Sequence, residues 1–213
     1  DIIRSHFDNP TVDEWNRLGM NPVGRVQFYI SNHYLKKYIK KGDRVLEVGP
    51  GPGKFTIEIA KLGAKIAIVD ISENQLRLNR ERMLEAGFEK STEWRKKLDI
   101  INLEGIPNNE FDAVICYGGP FSYVFEYVDQ ALDEVLRVTK QNGIVLSSVM
   151  SCLGTYHHLI NDILETQDIS NEIHAEVFQI TVQNIIKDLR QVDLVLFGGQ
   201  AEDRRLLRHL RFS

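Results

Sequence analysis

The sequence predicts an α/β fold in which helices cover both faces of a doubly wound, mostly parallel sheet. Two observations predict it. Near residue 45 a largely apolar run enters a glycine-rich turn and then a helical pattern, and the same order of strand and helix repeats from residue 65. Strands that alternate with helices in this way form parallel sheets. The 213 residues are enough for one domain of this kind.

The first strand and its turn are the most specific pattern in the chain. Residues 45–48 are a largely apolar run bounded by glycine and proline, as expected of a buried parallel strand. Gly49, Gly51 and Gly53 let the backbone turn tightly and approach a ligand closely. A helix from about Lys54 to Leu62 would then present unpaired N–H groups over the loop. The pattern indicates a loop that binds a nucleotide cofactor.

The spacing of these glycines excludes a dinucleotide fingerprint. A G-x-G-x-x-G motif starting at Gly49 or Gly51 requires glycine where the chain has Lys54 or Thr56. The observed E-x-G-x-G-x-G, which begins at Glu47, resembles motif I of the class I S-adenosylmethionine-dependent methyltransferases. The resemblance implies S-adenosylmethionine as cofactor, with Glu47 and the three loop glycines near its methionine end. It also implies a seven-stranded sheet and helical lid elements.

The second predicted strand, residues 65–70, ends in an acid. Asp70 lies 21 residues after Gly49, at the carboxyl end of the neighbouring strand, where a carboxylate can accept two hydrogen bonds from a ribose diol. In the resembled family, the acid at this position binds the ribose hydroxyls. The alternative is that Asp70 only ends a strand.

A helix is predicted directly after this strand. Ser72 is a suitable N-cap for a helix that runs to about Ala86. Cofactor contacts from Ile71 and Gln75 follow from the resemblance, because these residues surround the start of that helix.

The apolar segment Leu98–Asn102 is predicted to be the third strand. In the family an acid near the end of this strand binds the adenine amino group, which implies Asp99, with Ile100 beside it. The alternative is that Asp99 has no such role, because strand boundaries are the least certain part of such predictions.

Residues 111–116 are predicted to be the fourth strand, followed by Tyr117 as a cofactor contact. The family places motif IV here. Nucleic-acid amino methyltransferases have Asn or Asp before Pro-Pro-aromatic at this point, whereas this chain has Gly119-Pro120, so base-flipping chemistry has no matching residue. Phe121 and Tyr123 are candidate substrate-binding residues, and core packing is the alternative for both.

The N-terminal segment, residues 1–40, is predicted to be a helical lid over a core at residues 41–150. Within it, a helix is expected from about Val23 to Ile39. Arg25 and Tyr29 lie four residues apart on one helix face, so both can point at one substrate. The alternative is that this helix only packs on the sheet.

The fifth strand is predicted at residues 144–149, after a turn at Asn142-Gly143. Beyond it, residues 151–213 are expected to form cap helices and the terminal strands of the same domain. The helices are expected at residues 156–165 and 177–191, and the strands at 192–197 and 206–212; for residues 206–212 a helix is the alternative.

His157 and His158, in the predicted cap, are the candidates for a general base toward a hydroxyl acceptor, because imidazole titrates near neutrality. The alternative is that both are surface residues. Adjacent histidines on a helix point apart and do not form a metal site.

Composition supports a soluble enzyme rather than a nucleic-acid or membrane protein. The chain has 30 acidic and 26 basic residues, a formal charge of −4, and the basic residues are mixed with acidic ones. No apolar stretch is long enough to cross a membrane and no signal peptide is visible, which predicts a cytoplasmic location. Cys116 and Cys152 are expected to be buried, reduced residues.

The hypothesis is a class I methyltransferase that acts on the oxygen or nitrogen of a small or medium-sized metabolite, without a metal. The resemblance covers about residues 44–149. Two alternatives stay open. The first is an rRNA or tRNA methyltransferase, because rRNA adenine dimethyltransferases have a similar motif I sequence. The second is a non-catalytic module that only binds the cofactor. The oligomeric state is not predicted.

Overall fold

A computed structural model of the chain describes residues 14–19, 22–149 and 196–198. Among these residues lies one sheet of six strands in the order β3-β2-β1-β4-β5-β6. Strands β1 to β5 pair in parallel, and the short β6 is antiparallel to β5. The strands are β1 (Arg44–Val48), β2 (Lys65–Asp70), β3 (Thr92–Lys97), β4 (Phe111–Cys116), β5 (Thr139–Ser147) and β6 (Leu196–Gly198).

Helices cover both faces of this sheet, as predicted. The described helices are α1 (Glu14–Arg17), α2 (Pro22–Tyr38), α3 (Lys54–Lys61), α4 (Glu73–Glu85) and α5 (Val128–Val138), with short 3₁₀ turns at residues 89–91, 120–123 and 125–127. None of the described helices is long and apolar enough to cross a membrane.

Alternate residues of the buried strands supply two separate cores. On one face, Leu46 of β1 and Val114 of β4 pack with Val135 of α5. On the other face, Val45 of β1 packs with side chains of α2, α3 and α4, among them Met83. Both faces of β1 are therefore buried, which explains its nearly continuous apolar sequence.

Several predicted elements are confirmed to within a residue or two. Strands β2 and β4 have the predicted bounds, and helix α3 ends one residue earlier than predicted. Helix α4 begins after Ser72, whose Oγ accepts a hydrogen bond from the Gln75 N–H at 3.2 Å, as expected of an N-cap. The seventh strand and the cap helices were predicted at residues that lie outside the described ranges.

The prediction for the third strand was wrong. The strand is Thr92–Lys97, and the segment predicted as strand, Leu98–Asn102, forms a turn closed by a bridge between Asp99 and Asn102. The physical reason is that β3 lies at the sheet edge and carries charged side chains, whereas the apolar residues that follow it are buried outside the sheet. Ile100 is 5% exposed and belongs to the core beneath the turn.

The turn predicted at Asn142-Gly143 lies instead within β5. The pairing with β4 passes from Phe111 and Thr139 directly to Ala113 and Ile144, so the extra residues of β5 form a bulge. A Cβ on Gly143 would lie 2.7 Å from Thr139 Cγ2 and 2.9 Å from the Asp112 carbonyl oxygen. Glycine is required here by space, and the turn chemistry of Asn-Gly misled the sequence prediction.

Met83 tests how much the α4 core contributes to stability. Its side chain is fully buried, whereas Leu84, the next residue of α4, is 56% exposed. Met83→Ala is expected to lower the free energy of unfolding by about 2–5 kcal/mol, because it removes buried apolar atoms and leaves a cavity. The control Leu84→Ala should change it by about 0.5 kcal/mol or less. Denaturant unfolding measures both, and equal costs would contradict this packing of α4.

Candidate active site

A cavity of about 250 Å³ opens at the carboxyl ends of β1, β2 and β4. Chain connections leave β1 toward β2 on one side and return to β4 on the other, so the cavity lies where open α/β sheets bind ligands. Nine of the ten predicted cofactor-binding residues line it: Glu47, Gly49, Gly51, Asp70, Ile71, Gln75, Asp99, Ile100 and Tyr117. The tenth, Gly53, completes the loop that forms one wall.

The glycine loop turns immediately after β1. Gly49 has φ +64° and its N–H donates to the Val69 carbonyl at 2.8 Å, which ties the start of the loop to β2. A Cβ on Gly49 would lie 3.0 Å from Cγ of Pro120, across the cavity wall. The loop thus has the left-handed backbone and the close approach for which the sequence has glycine.

Asp70 holds the loop to the start of α4. Its Oδ2 accepts the Gly51 N–H at 3.3 Å, and its Oδ1 accepts the Ser72 N–H at 2.9 Å. The carboxylate is 6% exposed and lines the cavity. Asp70 therefore has a structural role in addition to any contact with a ligand.

Glu47 is a buried acid of the cavity wall. It is 2% exposed, and its Oε2 has no hydrogen-bond partner among the described residues. Burial raises the pKa of Glu47 to about 8; a hydrogen bond from Thr56 opposes the shift, Asp70 adds to it and Arg95 opposes it. A buried carboxylate oxygen without a partner, at a cavity wall, is a strong acceptor for a cationic donor.

Asp99 and Ile100 line the cavity although the strand predicted for them was wrong. Both lie in the turn after β3, where Asp99 Oδ1 accepts the Ile101 N–H at 3.2 Å. Their position depends only on following a strand at its carboxyl end, so a shift of the strand by a few residues leaves them at the same edge of the sheet.

The wall after β4 is aromatic. The Tyr117 hydroxyl donates to the Ser31 carbonyl at 3.4 Å, its ring meets Phe55 edge-on at 5.1 Å, and burial raises its pKa well above the usual range. Tyr123 lines the cavity too. Phe121, predicted with it to bind substrate, is 5% exposed and packs in the sheet core, so core packing accounts for it.

A second cavity, of about 540 Å³, lies beside the first and shares Leu18 and Lys54 with it. Arg25 and Tyr29, the predicted substrate-binding pair, both line this second cavity. The other lining residues are Gly19, Phe28, Asn32, His33 and Lys36. The set includes three lysine or arginine side chains and no carboxylate.

Lys54 joins the N-terminal segment to the loop. Its Nζ donates to the Trp15 carbonyl at 2.9 Å and lies 5.6 Å from the centre of the Trp15 ring and 5.8 Å from that of Phe28. Arg82 of α4 lies over the same indole, at 4.7 Å. These cation–π contacts place residues 14–19 against the wall between the two cavities. Sequence reasoning used Lys54 as the start of a helix and as the residue that breaks a dinucleotide motif, and did not place it in a site.

Three residues for which the sequence analysis makes predictions lie outside the part of the chain that the structure describes. They are His157 and His158, the candidate bases, and Cys152. Within the described ranges, no group of three or more His, Cys, Asp or Glu side chains is arranged to hold a metal ion.

Comparison with known proteins gives a family match for the middle of the chain. Residues 45–143 match the model of a methyltransferase domain. The ribosomal protein L11 methyltransferase of Thermotoga neapolitana is 32% identical over 117 residues, which are 54% of this chain and 40% of that protein. A protein of Methanocaldococcus jannaschii assigned as a ribosomal RNA large subunit methyltransferase is 23% identical over 179 residues, 79% of this chain and 41% of that protein. The chain thus spans less than half the length of these two relatives.

A solved structure with the same fold is that of the N-methyltransferase NodS from Bradyrhizobium japonicum, in complex with S-adenosyl-L-homocysteine. It superposes with a TM-score of 0.57 over 69% of this chain and 72% of that one, at 16% identity. At this identity the likeness concerns the fold alone.

Glu47→Gln tests the buried carboxylate through the pH dependence of stability. Below about pH 4.5 Glu47 is protonated in the folded and unfolded protein, so the variant and the native chain should be similarly stable. Between that value and about 8 the unfolded chain ionises while the folded protein keeps its proton, so the native protein loses stability as the pH rises. The variant does not ionise and should be more stable by several kcal/mol above pH 8, since each pKa unit is worth about 1.4 kcal/mol.

Urea unfolding of both proteins, from about pH 4.5 to about pH 9, measures this difference. Glu104→Gln is the matched control, because Glu104 is exposed and its change should give parallel curves. A constant difference between native protein and Glu47→Gln over the whole range would show that Glu47 ionises normally.

Proposed function

We propose that the chain binds S-adenosylmethionine in the cavity beside Glu47, because residues 45–143 match the model of a methyltransferase domain and the glycine loop resembles motif I of the class I S-adenosylmethionine-dependent methyltransferases. We further propose that it transfers the methyl group to a small, anionic metabolite in the second cavity. The observation that carries the first part is the unpartnered Oε2 of Glu47 at the cavity wall.

The residues of the first cavity fit the charge distribution of this cofactor. Its methionine end carries an ammonium group, which would give Glu47 Oε2 the cationic donor that it lacks and would favour the ionised carboxylate. The turn at Gly49 leaves room that a Cβ would fill, since Pro120 approaches from the opposite wall. Gly51 and Gly53 extend the same backbone surface toward the cofactor.

The other end of the cavity would hold the nucleoside. Asp70, at the carboxyl end of β2, would accept hydrogen bonds from the ribose hydroxyls while it keeps the loop in place. Asp99 and Ile100 would contact the adenine from the turn after β3. Ile71 and Gln75 from the start of α4 and Tyr117 from the opposite wall are the remaining proposed contacts; they are all cavity residues.

The acceptor class follows from the charges of the second cavity. Arg25, Lys36 and Lys54 are among the residues that line it, and no described lining residue is acidic. Arg25 and Lys36 form no ion pair among the described residues, and both are exposed. Phe28 and Tyr29 add aromatic surface, and the Tyr29 side chain is 74% exposed. A carboxylate or phosphate on a partly planar metabolite would satisfy both features.

The chemistry required of the protein is mainly positioning. When bound, the cofactor supplies an electrophilic methyl group, and the acceptor's oxygen or nitrogen forms the new bond to carbon as the bond to sulfur breaks. Lys54 and Leu18 line both cavities, so the cavities adjoin at these side chains, and an acceptor atom from the second cavity would reach the methyl carbon there. A hydroxyl acceptor must also lose a proton, for which His157 or His158 stays the proposed base.

A macromolecular acceptor is the second candidate, because the relatives named above act, by their names, on ribosomal protein L11 and on ribosomal RNA. The sequence after β4 argues against nucleobase amine chemistry, since Gly119 stands where that chemistry uses Asn or Asp. The third candidate, a module that binds the cofactor without turnover, is separated from both by an activity assay.

Cofactor binding is tested by thermal unfolding and calorimetry. S-adenosylmethionine and S-adenosylhomocysteine should raise the melting temperature of the purified chain, since a ligand of the folded state stabilises it, whereas NAD should not. Asp70→Ala should weaken binding by about 1.5–3 kcal/mol, the usual scale for hydrogen bonds to a charged group. Asp112→Ala, on β4 away from the cavity lining, is the control for losing a carboxylate. A shift with NAD alone would refute the proposal.

The acceptor class is tested with cofactor labelled on its methyl group. The chain is incubated separately with the small-molecule dialysate of a cell extract, with ribosomal RNA and with ribosomal proteins. Only the dialysate should yield a labelled product, and that product should bind an anion-exchange resin. Label in RNA or protein would favour the second candidate instead, and no label in any fraction would favour the third.

Arg25→Ala should lower labelling at limiting extract about tenfold, the scale of one lost charge-assisted hydrogen bond, and leave the Kd for S-adenosylhomocysteine unchanged. Arg77→Ala, an exposed change on α4, is the control and should affect neither quantity. Equal labelling by native protein and Arg25→Ala would remove the second cavity from the acceptor site.

A further inference from the structure

A chain of hydrogen bonds runs from Arg95 on β3 to the buried carboxylate of Glu47 on β1. Arg95 Nε donates to Asn79 Oδ1 at 3.0 Å, and Asn79 Nδ2 donates to Thr56 Oγ1 at 2.9 Å. The Thr56 hydroxyl in turn lowers the pKa of Glu47, as a hydrogen-bond donor to its carboxylate does. Apart from Glu47, none of these residues was predicted to belong to the site.

The register of the sheet explains why these side chains meet. Glu47 pairs with Ile68 of β2, and Ile68 pairs with Arg95 of β3, so the three residues lie in one row on the same face. Arg95 is hydrogen-bonded to Glu89 and Asn79 and makes no described hydrogen bond to Glu47 itself. Thr56 of α3 and Asn79 of α4 bridge Arg95 and Glu47 above the row.

The direction of every bond in the chain is determined by its first member. A guanidinium can only donate, so the Asn79 amide must present its oxygen to Arg95 and its NH₂ to Thr56. Thr56 Oγ1 thereby accepts from Asn79, which leaves its single proton to be donated to the Glu47 carboxylate, in agreement with the lowering of the pKa of Glu47 by Thr56. All donors point toward the carboxylate, an arrangement that favours its ionised form.

The chain is buried and anchored at its far end. Thr56 and Asn79 are completely buried. Arg95 is held by Glu89, whose two carboxylate oxygens accept from NH1 and NH2 at 2.7 and 2.8 Å, and its side chain is only 13% exposed. This bidentate pair fixes the plane of the guanidinium, so that Nε faces Asn79.

The third glycine of the loop leaves room for this chain. A Cβ on Gly53 would lie 2.6 Å from Asn79 Nδ2 and 3.2 Å from Thr56 Oγ1, and the backbone φ there is +94°. A side chain at residue 53 would displace the amide of Asn79. The cofactor loop and the hydrogen-bond chain are therefore packed directly against each other.

We propose that Asn79 and Arg95 are positioning residues that act through Thr56 to keep one oxygen of Glu47 hydrogen-bonded and the other available to the cationic end of the ligand. Thr56 favours the ionised form of the carboxylate, and Oε2 has no hydrogen-bond partner among the described residues. The chain thus sets both the orientation and the charge of Glu47 from outside the cavity. This inference rests on the proposed cofactor site, and its test includes a measurement that needs no ligand.

Asn79→Asp reverses the direction of the hydrogen bond between residue 79 and Thr56, with almost no change of side-chain volume. The new carboxylate would accept from both Arg95 and Thr56, so the hydroxyl proton would turn away from Glu47 and a negative charge would be added nearby. At pH 7 the Kd for S-adenosylhomocysteine should rise at least about tenfold, and the pH at which affinity is half-maximal should move up by about one unit. Asn74→Asp, earlier on the same helix and outside the chain, is the matched control and should do neither.

Thr56→Val and Thr56→Ser provide a second pair that does not alter the charge. Valine removes the hydroxyl and keeps the shape, so it should weaken binding and raise the pH midpoint as Asn79→Asp does. Serine keeps the hydroxyl and should restore both toward native values. If valine and serine bind alike with the native pH profile, Thr56 has only a packing role and the inference is overturned.

The measurement without ligand is the free energy of unfolding, compared between proteins that have Glu47 and proteins that carry Glu47→Gln. In the native background, Glu47→Gln should become the more stable protein as the pH rises; in the Asn79→Asp background, that difference should begin at the same pH but continue to grow to higher pH, so that it ends larger. An identical difference in both backgrounds overturns the inference, whatever the cofactor results. Failure of the native protein to bind S-adenosylhomocysteine at any pH would instead overturn the proposed function.

Discussion

The double pairing of β1 constrains the rest of this structure. A parallel strand with neighbours on both sides has no free edge, so it can meet a ligand only where its chain leaves the sheet. The hydrogen bond from the Gly49 N–H to the Val69 carbonyl continues this pairing into the loop, so the turn is tied to β2 before it opens. The cavity, the loop and the bond between Asp70 and Gly51 are all consequences of that geometry.

Glu47 is subject to two opposing demands. Because the strand is buried on both faces, its side chain must leave water, which favours the protonated form. A cationic ligand requires the ionised form, and the groups that favour ionisation come from other elements, namely Thr56 from α3 and Arg95 from β3. The charge of Glu47 therefore depends on residues that are not part of the E-x-G-x-G-x-G motif.

Sequence reasoning recovered the elements whose signals are local. Strands β2 and β4 are apolar runs that end in recognisable turns or caps, and their bounds were predicted. The edge strand β3 was missed because its residues are mostly charged, and the apolar segment beginning at Leu98 was taken for a strand although its burial comes from tertiary packing. Asp99 was placed at the cavity all the same, because its position follows from chain order.

The hydrogen-bond chain to Glu47 was beyond local reasoning. Thr56 and Asn79 are 23 residues apart, and Asn79 and Arg95 are 16 apart, so they meet only once α3 and α4 have packed on the sheet. An asparagine in the middle of a helix gives no signal of such a contact. The sequence did show the glycine at residue 53, but the reasons assigned to it were the tight turn and the approach to a ligand, not space for a neighbouring side chain.

That glycine has an evolutionary consequence. Since a Cβ at residue 53 would collide with the amide of Asn79, the two positions do not vary independently: a larger residue in the loop becomes tolerable only after the helix position has lost its side chain. Even then the left-handed backbone restricts the choice to residues such as asparagine. Among descendants of this sequence, substitution of Gly53 should therefore come after substitution of Asn79. A phylogeny would show this order.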